Sequence, residues 1–361
     1  MAATPRLAFI LAAFFVLAST LTCCNAEDEL DLQARMTPCE LIRYFDYPCE
    51  ISYVTTDDGY ILEVDRVPRG RQGDAAAAEE HNGTRRHPVL FVPALLTGSD
   101  IWFLNYPSQS PGFLFADAGF DVWSMNSRES ERYSNHLTLT KNDPEYWKFS
   151  FDEIGRYDVA AGVDHVLNAT GAERLTVVSL SQGVTIALVL LSTRPEYNDK
   201  TLLYPFTKAG FLGLSEGLSV LLAKLCEILS GEVCSLAVTV TLFSSPYQLN
   251  EVYKAKDFVM YDHGAKENRE LYNQIKPPAY PLERITSPLA LFSSEGDTVA
   301  DPRDVADLVA RLGETVILHR VVPEKAFGHL DFAIAYRAND FLHNVAIDIV
   351  KKHVEQNMLS M

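Results

Sequence analysis

The chain has 361 residues, 47% of them hydrophobic, a formal net charge of −17 and a sequence pI near 4.9. That apolar content over this length supports a large core, and the acidity excludes nucleic acid or an anionic membrane as the main partner. The length suits a single α/β enzyme domain carrying an insertion.

Met1 to Ala26 has the pattern of a signal peptide. Arg6 supplies the positive start, Leu7 to Leu21 the apolar run, and Cys24-Asn25-Ala26 the small residues where cleavage is expected. No second apolar run of spanning length follows, and no C-terminal retention signal is visible. A secreted or lysosomal destination is therefore expected. Cys39, Cys49, Cys226 and Cys234 remain after cleavage, and the sequence-near pairing of two disulfides, Cys39–Cys49 and Cys226–Cys234, is preferred. Two glycosylation sequons occur, at Asn82 and Asn168. No cysteine or histidine spacing suits a metal.

Tyr53 to Thr56, the turn Asp57-Asp58-Gly59, and Tyr60 to Val64 form a hairpin signature. Pro88 to Val92 and Gly119 to Trp123 are continuous apolar runs and predict buried strands. Phe149 to Leu167 has helical spacing and leads into Leu175 to Ser179, a short strand rich in β-branched residues. Thr185 to Leu191 predicts an apolar helix. Beyond Pro195 the regularity breaks. Leu218 to Leu229 predicts a helix, either a lid or ordinary packing, and Pro277-Pro278 and Pro281 mark a return to the core. A strand is expected at Thr201 to Lys208, although Pro205 interrupts it. Ser287 to Ser294 and Thr315 to Val322 predict the last strands, and Phe332 to Val354 a closing helix. Alternating strands and helices of this kind imply a mostly parallel sheet with helices on both faces.

The chemistry centres on Ser179-Leu180-Ser181-Gln182-Gly183, between the strand and the apolar helix. A serine on so short a turn has the arrangement of a nucleophile elbow, and the fold class that follows is the α/β-hydrolase fold. That fold requires an acid and a histidine after the serine, on loops that follow late strands. Asp297, after Ser287–Ser294, and His329, after Thr315–Val322, occupy those positions. Glu295 is a rival acid, and Asp301 before Pro302 has the look of a helix cap. His329 would take the Ser181 proton, and Asp297 would orient the imidazole. The oxyanion donors are expected to be the backbone N–H groups of Gln182 and Leu95, with Leu95 and Leu96 beside an acyl pocket.

With these residues in place, the chain resembles the acid lipase family of α/β-hydrolases, which includes the gastric and lysosomal acid lipases. The resemblance runs from about Tyr44 to the C-terminal helix. It rests on Asp46-Tyr47-Pro48-Cys49-Glu50, Thr55 to Leu62, Ala116 to Trp123, Asn126-Ser127-Arg128, Tyr157-Asp158, Tyr261-Asp262-His263-Gly264 and His329-Leu330-Asp331-Phe332. It implies hydrolysis of triacylglycerols or sterol esters at a lipid–water interface, with no metal or cofactor and no obligate protein partner. It also implies the same triad of Ser181, Asp297 and His329. The chain departs from the family at Pro93-Ala94, where His-Gly is usual, and at Ser179-Leu180, where Gly-His is usual. Met125, Glu129-Ser130 and Ser293-Ser294 stand where glycine-containing neighbours are usual. All these changes are expected to crowd the mouth of the site. The expected organisation is a signal peptide at 1–26, a core at 27–194, a shortened helical cap with its return linker at 195–287, and the rest of the core at 288–361. The expected function is fatty-acid ester hydrolysis through an acyl-enzyme on Ser181. The alternative is a catalytically inactive homologue that binds lipid.

Overall fold

The computed structural model describes residues 33, 35–71, 85–95, 97–130, 132–206, 258–297 and 299–358. The expected signal peptide, Asn82, Leu96, the helix expected at Leu218–Leu229 and the pair Cys226–Cys234 lie outside these residues.

Helix α1, Pro38–Tyr44, begins with a capping box, in which Thr37 accepts from the Glu40 N–H and Glu40 accepts from the Thr37 N–H. Cys39 on this helix is joined to Cys49, as expected from sequence. Strands β1 (Glu50–Thr55) and β2 (Tyr60–Val67) then form the expected antiparallel hairpin. The remaining strands are β3 (Pro88–Val92), β4 (Asp121–Met125), β5 (Ser134–His136), β6 (Leu175–Leu180), β7 (Thr201–Phe206), β8 (Leu289–Ser294) and β9 (Val316–Val322). Among the described residues they make one nine-stranded sheet, in the order β1-β2-β4-β3-β6-β7-β8-β9 with β5 paired to β2. Along β4-β3-β6-β7-β8-β9 every pairing is parallel, whereas β1, β4 and β5 pair with β2 antiparallel.

The continuous apolar runs are explained by burial on both faces. Every residue of β3, β6 and β8 is buried. Successive side chains point to opposite faces. Phe91 and Val178 join one core with Phe113 of helix α2 (Pro111–Asp117) and Val350 of the last helix. Leu90 and Val177 join the other core with Val163 of α3 (Ala160–Thr170), Leu188 of α4 (Gln182–Thr193) and Leu308 of α6 (Pro302–Leu312). Helix α5 (Ala265–Tyr272) lies in the segment returning to β8. Among the described residues no helix is long and apolar enough to cross a membrane.

Two helices differ from expectation, and one expected strand forms in spite of a proline. The helix expected at Phe149–Leu167 starts at Phe151 on a Ser150 cap, but Ile154–Val159 winds as a π-helix before α3. A Cβ on Gly155 would sit 2.7 Å from the Ile186 carbonyl oxygen and the Val189 Cβ. The π-helical turn thus presses backbone against α4 at a point where only glycine fits. Thr201–Phe206 is the strand expected from Thr201 onward, set between β6 and β8, and it keeps its register through Pro205, opposite Ser179. The closing helix is broken. A helical turn at Asp331–Ile334 ends at extended Ala335, and a π-helix at Asn339–His343 leads into α7 (Asn344–Met358).

Candidate active site

Ser181 stands alone between β6 and α4, with φ 54° and ψ −119°. A side chain rarely adopts this backbone conformation, which costs on the order of 1–3 kcal/mol and persists only where its surroundings hold it. Here the Ser181 carbonyl accepts from the Val184 N–H at 2.9 Å, starting the helix directly beneath the serine. Gly183 lets the new helix close on the sheet, since a Cβ there would sit 2.6 Å from the carbonyl oxygens of Val92 and Pro93. The sharp turn lifts the Ser181 hydroxyl above the carboxyl ends of the strands, where ligands of open α/β sheets bind.

The structure brings Ser181, His329 and Asp297 together. The His329 Nδ1 lies 2.9 Å from Asp297 Oδ2, and the His329 Nε2 lies 2.7 Å from Ser181 Oγ. The carboxylate selects the tautomer with the proton on Nδ1, so Nε2 accepts from the serine hydroxyl. Asp297 is 2% exposed. Its other oxygen accepts from the Val299 and Ala300 N–H groups, both at 2.9 Å. Two oxygens with fixed donors leave the carboxylate one orientation. His329 is set by the turn that follows it, in which Asp331 accepts from the Gly328 N–H. The other nearby acids and histidines fall elsewhere. Glu295 is exposed. Asp301 caps α6 through the Arg303 N–H. His319 contacts Ser293 on the neighbouring strand, and fully buried His343 faces the Phe332 carbonyl, its pKa pushed down to about 4 by desolvation.

The Gln182 and Leu95 backbones stand at the ends of adjacent strands, because β6 pairs with β3 up to Val92 opposite Ser179. Gln182 opens α4, where the first N–H groups have no partner within the helix. Leu95 is half-buried in the turn after β3, which the Thr97 N–H closes on the Ala94 carbonyl. Asn168 is exposed near the end of α3.

The expectation that the departures all crowd the mouth is corrected. Leu180 and Met125 are fully buried, Leu180 in one core and Met125 in the other, because they lie on central strands covered on both sides. Ser294 fastens two loops together. Its hydroxyl donates to the Phe327 carbonyl at 2.7 Å and accepts from the Gly296 N–H at 3.0 Å, tying the Asp297 loop to the His329 loop. Sequence reasoning missed two further contacts. Arg128, 1% exposed, binds Asp158 and Asp58 with its guanidinium and stacks 4.0 Å over the Tyr60 ring. Glu129, 5% exposed, faces the Gln182 side-chain amide, whose nitrogen is assigned toward the carboxylate because that orientation gives both groups a partner, at 2.8 and 3.3 Å from its two oxygens. These partners lie 30 to 70 residues apart in the Arg128 cluster, and no local pattern marks them.

Residues 39–106 match the family model of a partial alpha/beta-hydrolase lipase region. The chain is 32% identical to gastric triacylglycerol lipase of Bos taurus, over 88% of this chain and 92% of that protein. The chain belongs to the acid lipase family of α/β-hydrolases. It is also 30% identical to human lysosomal acid lipase/cholesteryl ester hydrolase, over 90% of this chain and 93% of that protein. Among solved structures, an esterase of Pyrococcus furiosus superposes with a TM-score of 0.53 at 14% identity, over 86% of this chain and 93% of that one. A putative lipase of Acinetobacter baumannii gives 0.51 at 10% identity, over 90% and 96%. These likenesses concern the fold. Membership of the acid lipase family rests on relatives aligned over about 90% of the chain.

Proposed function

We propose that this protein hydrolyses lipid esters, triacylglycerols or sterol esters, through an acyl-enzyme on Ser181. The observation that carries the reading is the hydrogen-bonded line Ser181–His329–Asp297, with its serine on a strained elbow. Ser181 Oγ attacks the ester carbonyl carbon while His329 Nε2 takes its proton. The tetrahedral oxyanion is met by the N–H groups of Gln182 and Leu95. The intermediate collapses, the C–O bond breaks, and the leaving alkoxide takes the proton from His329. Water then enters, gives a proton to His329 and attacks the acyl carbon, and Ser181 is regained as the fatty acid departs. No step needs a metal or a cofactor.

The substrate class is supported by the relatives' names, which specify triacylglycerol and cholesteryl ester. The comparisons lend no support to the alternative of an inactive lipid binder. The relatives' names also fit a secreted or lysosomal place of work. The test is hydrolysis of a fatty-acyl ester emulsion by the purified chain and by Ser181→Ala. The variant should keep the wild-type unfolding temperature and lose the activity. Equal turnover by both proteins would remove Ser181 as the nucleophile.

A further inference from the structure

The reaction's positioning apparatus extends to a side chain on a different strand end. Glu129 lies in the turn that follows β4, closed by the Ser130 N–H on the Ser127 carbonyl. Gln182 follows β6. In the sheet, β3 lies between these two strands. A link from Gln182 to Glu129 therefore crosses the carboxyl end of β3, where Pro93-Ala94-Leu95 turns away. The link is short: with the Gln182 amide assigned so that its nitrogen and not its oxygen meets the carboxylate, the orientation in which both groups gain a partner, the nitrogen lies 2.8 Å from one Glu129 oxygen and 3.3 Å from the other. It is also sheltered, since Glu129 is only 5% exposed. Its anchor is rigid. The neighbouring Arg128 holds its own backbone N–H to Asp158 at 2.8 Å and its guanidinium to both Asp58 and Asp158. The Glu129 carboxylate thus hangs from a backbone that cannot drift.

We propose that Glu129 is a positioning residue for ester hydrolysis, bracing the oxyanion donor at Gln182 through the Gln182 side chain. The inference rests on the function proposed above. The physical need is specific to this chain. The oxyanion donors are backbone N–H groups, and their value depends on being fixed before charge develops. One belongs to the first residue of a helix and the other to a turn after a strand. The Glu129–Gln182 link ties the first helical residue to the turn after β4 and limits its movement. The link makes no contact with the substrate, so the effect belongs to the transition state and appears in kcat.

The test is steady-state hydrolysis of a soluble p-nitrophenyl fatty-acyl ester by the full chain and by Glu129→Ala, Glu129→Gln, Gln182→Ala and the double alanine variant. Losing an oxyanion donor outright costs about 10²–10³ in kcat, and a loosened donor should cost less, roughly 10- to 100-fold. Glu129→Ala and Gln182→Ala should each show that loss with little change in KM, and the double variant should be no worse than either. Glu129→Gln keeps an oxygen that accepts from the Gln182 amide and should restore most of the rate. Wild-type kcat in Glu129→Ala, losses that multiply in the double variant, or a raised KM at unchanged kcat would overturn the assignment. If Glu129→Ala does not fold, Gln182→Ala decides, because it removes the same link from the other side. A wild-type rate that Ser181→Ala abolishes but these variants leave alone defeats this inference only. A rate indifferent to Ser181→Ala defeats the underlying function as well.

Discussion

Asp297 shows how a single carboxylate can be given one task. One oxygen is held by two backbone N–H groups and the other faces His329. Asp297→Asn preserves the shape but presents an amide to the ring, which favours the wrong tautomer. In a triad of this kind that change lowers kcat by about 10⁴. The same loss is expected here, with the melting temperature moved little, and a kinetic and thermal comparison of the two proteins checks it. Asp65 makes a different prediction. It is 1% exposed on β2, accepts from Ser99 Oγ at 2.5 Å, and its other oxygen has no hydrogen-bond partner among the described residues. Desolvation, helped by the nearby Glu63 and Asp100 carboxylates and opposed by the Ser99 hydrogen bond, pushes its pKa up to about 7 from 3.8. The folded chain keeps the proton between those values, while the unfolded chain has released it. Stability is therefore fully present in acid and falls as pH rises through that window. Asp65→Asn should melt above wild type at pH 8, with the gap closed by pH 4, and melting curves across that range would show it. Each tenfold change in proton affinity corresponds to about 1.4 kcal/mol.

At the scale of elements, the site depends on how closely α4 approaches the sheet. Gly183 meets the Val92 and Pro93 carbonyls with no room for a Cβ. Gly183→Ala must push the start of α4 outward, and with it the Gln182 N–H. The expected cost is about 1–3 kcal/mol in stability, the range for overpacking, together with a loss of kcat larger than that of a distant core variant. Denaturant unfolding and ester hydrolysis on the same preparation measure both. The elbow was legible in the sequence because its signals are local: a β-branched strand, a serine between small residues, and an apolar helix. The parallel strands were legible as unbroken apolar runs. The π-helical turn at Ile154–Val159 was not, since helical spacing continues through it and only the contact of Gly155 with α4 explains it. The strand expected at Thr201 formed in spite of Pro205. The proline lacks an N–H, yet it sits at the end of β7, where one lost donor does not break the strand. The break at Ala335 carries no glycine or proline to announce it.

Across the whole molecule, distant parts meet at Arg128. Its guanidinium joins Asp58 of the hairpin turn to Asp158 of the π-helical turn, beside the loop that carries Glu129. Asp158 is fully buried, and desolvation, opposed by Arg128, holds its pKa above the usual carboxylate value. Arg128→Met would leave that carboxylate without its cation, at a cost of about 3–5 kcal/mol. Arg128→Met with Asp158→Asn should recover part of the loss, and denaturant titration of the single and double variants measures it. Contacts of this length are invisible to a reading of periodicity. The order of Ser181, Asp297 and His329 along the chain was legible only because the fold type prescribes where each must fall.

The central claim is that Ser181 is an activated nucleophile, and labelling tests it most directly. The purified protein would be treated with a fluorophosphonate at acid and neutral pH, digested, and read by mass spectrometry. The account predicts one adduct, on Ser181, that disappears in Asp297→Asn and His329→Ala. Folded wild-type protein with no adduct on Ser181 at either pH would contradict it.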